Sequence, residues 1–148
     1  MTGPVEQCRD YAALTEVWAA AVKATHGFLR EEDFEFYRRR LPADYMPAVD
    51  VYALRDAAGR WCAFIGLGED SVDMLFVRPD MMGRGCGSRL LEFAVAHRRI
   101  RKVDVNEQNP RALAFYRRHG FRVTGRDAAD GAGKPYPILH LERPDALL

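Results

Sequence analysis

The chain has 148 residues, 48% of them hydrophobic, and its 22 Lys and Arg nearly cancel its 21 Asp and Glu, leaving a formal net charge of +1. That length and apolar content suffice for one buried core, so a single domain over residues 1–148 is expected, without a global field for nucleic acid or an anionic membrane. Three cysteines, Cys8, Cys62 and Cys86, lack metal spacing and are odd in number, which argues against a disulfide scaffold or a metal site.

The amino-terminal MTGPVEQCRDYAAL has no basic start followed by an apolar signal core, and no apolar run reaches membrane-helix length. With reduced thiols, this implies a cytoplasmic protein. Tyr11 to Lys23 carries Leu14, Val17, Trp18, Ala21 and Val22 at helical spacing, and Glu31 to Arg40, with Phe34, Phe36 and Tyr37, predicts a second helix broken by Pro42. The segment ATHGFL between them holds His26 and Phe28. VDVYALRD, a DAAGR turn and WCAFIGLG read as a hairpin, and SVDMLFV as the next strand, with Ser71 and Asp73 on one alternating face.

That strand ends at Val77, turns through Arg78 and Pro79, and gives way to a helix whose opening turn holds Gly83, Gly85 and Gly87. A strand, a glycine turn and a helix N-terminus make an anion cradle. Glycine lets the backbone approach a ligand, and first-turn amides without helical acceptors converge with the positive end of the helix dipole, an arrangement suited to a pyrophosphate. A P-loop is excluded because Ser88 follows Gly87 with no lysine, and a GxGxxG dinucleotide loop near the start of a βαβ unit is absent.

After the basic run HRRIRK, His97 to Lys102, comes a strand RKVDVN that ends at Asn106. NPRALAFYRRHGF then predicts a short helix, capped by Asn109, opened by Pro110 and stopped by Gly120. Leu113, Tyr116 and Arg117 share one face by spacing, and Phe121 opens the next strand. FRVTGR and ILHLER supply the final strands.

Two of these motifs carry a resemblance. The run Met82, Gly83, Arg84, Gly85, Cys86, Gly87 resembles the acyl-CoA loop of the GNAT superfamily of N-acetyltransferases, Arg/Gln-x-x-Gly-x-Gly/Ala, with methionine standing where the family has Arg or Gln. Asn109, Ala112, Tyr116, Gly120 and Phe121 match the family's second motif. The succession of elements from Val5 to Glu142 resembles the GNAT fold, an α/β (α+β) arrangement with a mixed, mostly antiparallel central sheet splayed at the acyl-CoA site and flanked by helices. ATHGFL, VNEQNPRALAFY and GKPYPILHL resemble the small bacterial YjaB-like branch, whose members are described as peptidyl-lysine N-acetyltransferases.

The resemblance implies acetyl-CoA as acyl donor, no metal, and direct transfer to a primary amine, either a protein lysine or a small molecule. Leu75, Phe76 and Val77, on a bulged strand, would supply the main-chain amide that polarises the thioester carbonyl. Gly83, Arg84, Gly85, Cys86, Gly87 and Ser88 would hold the pyrophosphate, and Asn109 the pantetheine arm. Cys86 reads as a small packed residue without a partner base. Arg78, Arg84 and Arg89 are candidates to restore the charge that Met82 removes, and the HRRIRK run is either a solvated helix end or a contact to the CoA 3′-phosphate.

Tyr116 is the implied general acid, since the departing thiolate needs a proton. Asp73 and His26 are both candidates for the base that takes a proton from the amine. His26, Phe28 and Tyr136 would line the acceptor cleft, and Asn106 either bonds main chain between splayed strands or is an ordinary turn residue. The rival reading is a catalytically weak, acyl-CoA-binding regulatory module with the same fold. Either a monomer or a homodimer is compatible with the sequence.

Overall fold

In the computed structural model, which describes residues 2–144, a short strand β1 (Glu6–Gln7) leads into helix α1 (Tyr11–Thr25). Residue 1 and residues 145–148, the ends of the expected 1–148 span, lie outside the described residues. The Asp10 carboxylate caps α1 by accepting from the Ala13 amide at 3.2 Å, and the helix buries Leu14, Val17, Trp18, Ala21 and Val22 along one stripe. Helix α2 (Glu31–Arg40) begins with three acidic residues and ends with three arginines, so its charges oppose its dipole at both ends. The α-helix ends at Arg40, as expected ahead of Pro42, but the chain does not leave helical geometry there. The helix instead widens into a π turn over Leu41–Tyr45, closed by the Met46 amide on the Leu41 carbonyl at 2.9 Å, and the wider turn accommodates the donor that proline lacks.

The sheet comprises β1, β2 (Asp50–Arg55), β3 (Trp61–Leu67), β4 (Ser71–Val77), β5 (Lys102–Asn106), β6 (Arg122–Asp127) and β7 (Ile138–Glu142) in the order β1-β2-β3-β4-β5-β7-β6. Every neighbouring pair is antiparallel except β4 and β5. Helices α1 and α2 cover one face through a cluster including Leu14, Trp18, Phe34, Val51 and Phe64. Helices α3 (Cys86–Arg98) and α4 (Pro110–Arg118) cover the other through Leu90, Leu91, Ile65, Val103, Tyr116 and Phe121. Because both faces are covered, β3 reads as a continuous apolar run. No helix among the described residues is long and apolar enough to cross a membrane.

The sheet opens between β4 and β5. Their pairing is confined to Ser71 with Lys102 and Val72 with Val103, after which β4 keeps only β3 as a neighbour. A bulge accompanies the split: Val72 pairs with Leu67 and Met74 with Gly66, leaving Asp73 as the extra residue. The expected bulge within Leu75–Val77 is therefore displaced, for those three residues pair regularly with Ile65, Phe64 and Ala63. The added twist falls where β5 lets go of β4.

Asn109 caps α4 by accepting from the Ala112 amide at 3.2 Å. The helix packs Ala112, Leu113, Phe115 and Tyr116 against the core, and Arg117, expected on that face, is exposed because Phe115 shifts the apolar stripe away from it. The basic run after α3 is broken structurally: Arg99 takes a left-handed conformation at φ 52° and Ile100 is fully buried.

Candidate active site

The glycines of the loop serve two different needs. Gly83 and Gly85 have φ of 75° and 84°, a region costly for any other residue, and Gly85 is the N-cap of α3. Gly87 lies inside the helix, and a Cβ there would stand 3.4 Å from the Phe115 ring. Its absence of a side chain sets how closely α3 and α4 approach. A glycine cap offers no side-chain acceptor, so the first-turn amides of Cys86, Gly87 and Ser88 keep their donors toward the opening.

A cavity of about 580 Å³ fills the gap between the splayed strands. Leu75, Phe76 and Val77 of β4, the loop residues Met82, Gly83 and Gly85, the helix start Cys86 to Ser88, and Asn109, Ala112, Phe115 and Tyr116 of the α4 segment line it. Arg84 does not: it is exposed and points no atom into the lining. Nor do the expected substitutes for the missing loop arginine. Arg78 is held by Asp56 at 2.7 Å and Asp80 at 2.6 Å, pairing that holds Asp56 down to about 2 and Asp80 below the usual carboxylate range, while Arg89 donates to the Thr2 hydroxyl. His97 to Lys102 also lie away from the cavity, with Arg98 bound to Asp50 at 2.9 Å. The arginines that do line the cavity are Arg111 and Arg118, which composition did not single out. Their spacing of two helical turns, which puts both on one side of α4, is the signal that could have found them.

Tyr116 is 6% exposed, its ring set edge-on against Phe115 and Phe121. Burial pushes its phenol well above the ordinary value, so it keeps its proton at neutral pH. Ser88 Oγ lies 3.1 Å from His119 Nε2, tying the start of α3 to the end of α4 beside it.

His26 closes α1 and borders a second cavity as well as the first. The Thr25 hydroxyl donates to the Ala21 carbonyl at 2.8 Å, so at 2.7 Å it accepts the proton of His26 Nδ1, which leaves Nε2 unprotonated. Burial lowers the histidine below its ordinary 6.5, favouring this neutral form. Asp73, the other candidate base, also borders both cavities but is exposed and accepts from Ser71 Oγ at 2.7 Å. Asn106 borders both as well, its backbone in register with Ile138, and it makes no side-chain hydrogen bond among the described residues.

The second cavity, about 430 Å³, lies under α1, α2 and the β6–β7 connection. His26, Phe28 and Tyr136 line it together with Trp18, Tyr37 and Tyr45, none of which was anticipated there. Tyr136 donates to Asp33 and accepts from the Arg30 amide at 3.2 Å, and Lys134 reaches Asp33 at 2.9 Å. These contacts, the Tyr136 bond first, hold the Asp33 carboxyl below the usual range. Nothing in the local sequence pairs Asp33 with residues a hundred positions away.

A family model described as an acetyltransferase (GNAT) domain matches residues 48–123. The peptidyl-lysine N-acetyltransferase YjaB of Salmonella typhimurium is 36% identical over 131 residues, covering 88% of this chain and 90% of that protein. Among solved structures, the apo form of YjaB from Escherichia coli superposes with a TM-score of 0.86 at 31% identity, covering 99% of both chains. An N-acetyltransferase from Thermoplasma acidophilum, solved in complex with coenzyme A, shares the fold at a TM-score of 0.71 and 19% identity, covering 96% of this chain and 99% of that one.

Proposed function

The chain belongs to the GNAT acetyltransferase family, and from that premise we propose that it moves an acetyl group from acetyl-CoA directly to a primary amine, with His26 as base and Tyr116 as acid. The donor's diphosphate fits the unpaired amides at the start of α3, with Arg111 and Arg118 as the nearby cations. The β4 main chain from Asp73 to Val77, which has no neighbour on its β5 side, offers the amide that polarises the thioester carbonyl.

An alkylammonium loses one proton to solvent before its nitrogen can attack, and the bare Nε2 of His26 takes the second as that nitrogen bonds the acetyl carbon. The new bond joins amine nitrogen to acetyl carbon, the carbon–sulfur bond breaks, and the Tyr116 phenol protonates the departing thiolate. His26 then returns its proton through solvent to the tyrosinate. The observation that carries this reading is the meeting of the two cavities at His26, Asp73 and Asn106, with Tyr116 on the donor side alone. His26 is preferred over Asp73 because the ordinary pKa of an imidazole lies far nearer neutrality than that of a carboxylate.

The acceptor in this reading is a lysine side chain, as in the name of the Salmonella relative, or a small amine. The same reading keeps one domain, and a reducing cytoplasm for three cysteines that are all free and buried. The test is thiol release from acetyl-CoA across an amine panel, run beside calorimetric titration of CoA. Amine-dependent release is expected; CoA binding without release would favour a binding module.

A further inference from the structure

The second cavity is larger than a bare amine needs. Its volume of about 430 Å³ lies in the range that encloses a whole small ligand, and its walls are dominated by Trp18, Phe28, Tyr37, Tyr45, Phe76 and Tyr136. Phe28 stands between His26 and Tyr136, with its ring 5.2 Å from the first and 6.0 Å from the second. Rings at that spacing are already in contact with one another, so they form one aromatic wall against which a further ring can pack edge-on or offset.

The charges around this chamber are already spent on the protein. Asp130 accepts from the Tyr37 hydroxyl on one oxygen and from the amides of Ala132 and Lys134, at 3.0 and 2.9 Å, on the other. Asp33 accepts from Tyr136 on one oxygen and pairs with Lys134 on the other at 2.9 Å. Of the carboxylates lining the cavity, only Asp73 has an oxygen without a protein donor among the described residues, and it sits at the junction with the donor cavity. Charge recognition is thus available at one end and an apolar chamber at the other. A second ammonium carried into that chamber would be desolvated without a partner.

We propose that the acceptor is a small monoamine bearing an aromatic ring, an arylalkylamine, with its nitrogen at the His26–Asp73 junction and its ring among Phe28, Tyr45 and Tyr136. The inference rests on the N-acetyltransferase reading and narrows its substrate. Polyamines fail for want of a second anion, and an unbranched alkyl chain leaves the aromatic walls without contact atoms.

The test is the rate of thiol release at saturating acetyl-CoA with phenethylamine and tryptamine, against n-butylamine, spermidine and a lysine-containing peptide. The arylalkylamines are expected to exceed each of the others in kcat/KM by about tenfold or more. Phe28→Ala, and separately Tyr45→Ala, are expected to shrink the ratio of phenethylamine to butylamine by about threefold or more, a readout that survives a folding defect in either variant. Equal or better turnover of butylamine, spermidine or the peptide overturns the inference while leaving the enzyme reading intact, and an unchanged ratio in both variants overturns the ring's placement. Saturable CoA uptake with no release from any amine sinks both readings together.

Discussion

Thr25 fixes the tautomer of His26: its hydroxyl proton goes to the Ala21 carbonyl at 2.8 Å, so the oxygen that lies 2.7 Å from Nδ1 accepts from the ring. A helix-terminal threonine bonding back to its own preceding turn thereby leaves Nε2 as a lone pair on a residue that lines both cavities.

His26→Gln is therefore expected to lower kcat about a hundredfold. Because burial depresses the His26 pKa below 6.5, the base is present above that lowered value and lost as pH falls through it. The acidic limb of the kcat/KM profile should lie below pH 6.5 in the parent and vanish in His26→Gln. Thr25→Val, which removes the Nδ1 acceptor, should keep the limb but cost activity several-fold, roughly 1 kcal/mol. pH–rate profiles of the three proteins check this.

Tyr116→Phe removes one hydroxyl and leaves the ring packing on Phe115 and Phe121 in place. Turnover is expected to fall between about tenfold and a thousandfold with CoA affinity nearly unchanged. Steady-state rates and calorimetry separate the two quantities, and undiminished turnover would transfer the acid role to water.

Gly85→Asp places a side chain at φ 84° and a negative charge beside the first-turn amides of α3. CoA binding should weaken by about tenfold or more, from dipole and steric terms together. Gly59→Ala, at φ 82° in the β2–β3 turn, carries comparable backbone strain away from the cavity. It is expected to lower the melting temperature while leaving CoA affinity as it was.

His140 stands between two carboxylates, with Nδ1 2.6 Å from Asp104 and Nε2 2.7 Å from Asp127. Those bonds, Asp104 first, raise its pKa above the ordinary 6.5, so the protonated ring links β5, β6 and β7. A raised folded-state pKa means that the stabilisation is complete below pH 6.5 and is lost as pH climbs through the raised value. The side chain is 36% exposed, which limits the effect to under about 1 kcal/mol. Urea unfolding of the parent and His140→Gln across that range should show a stability gap that narrows with rising pH.

The elements whose signals are local were legible in the sequence. The stripe of Leu14, Val17 and Trp18, the Asn109 cap and the strand–glycine–helix order all follow from spacing, whereas the mixed sheet was implied by the family resemblance of the glycine loop and the Asn109–Phe121 motif. What escaped depends on contacts between distant segments. That Gly87 is required by Phe115, that Arg78 is occupied by Asp56, and that Asp33 is held by Tyr136 cannot be read from either partner alone. The bulge at Asp73 escaped for a related reason: its position is set by where β5 stops pairing, and β5 lies beyond a whole helix.

Two rungs join the four amino-terminal strands to the three carboxy-terminal ones, Ser71 to Lys102 and Val72 to Val103. The His26 helix packs on the first group through β3 and β4 and the Tyr116 helix follows β5 of the second, so the two candidate residues stand on opposite sides of that seam. A ligand bound in the gap would touch both groups. Loading with CoA should accordingly slow deuterium uptake at Val72 and Val103 before it alters the outer hairpins, so that the same seam that admits the donor also reports its arrival.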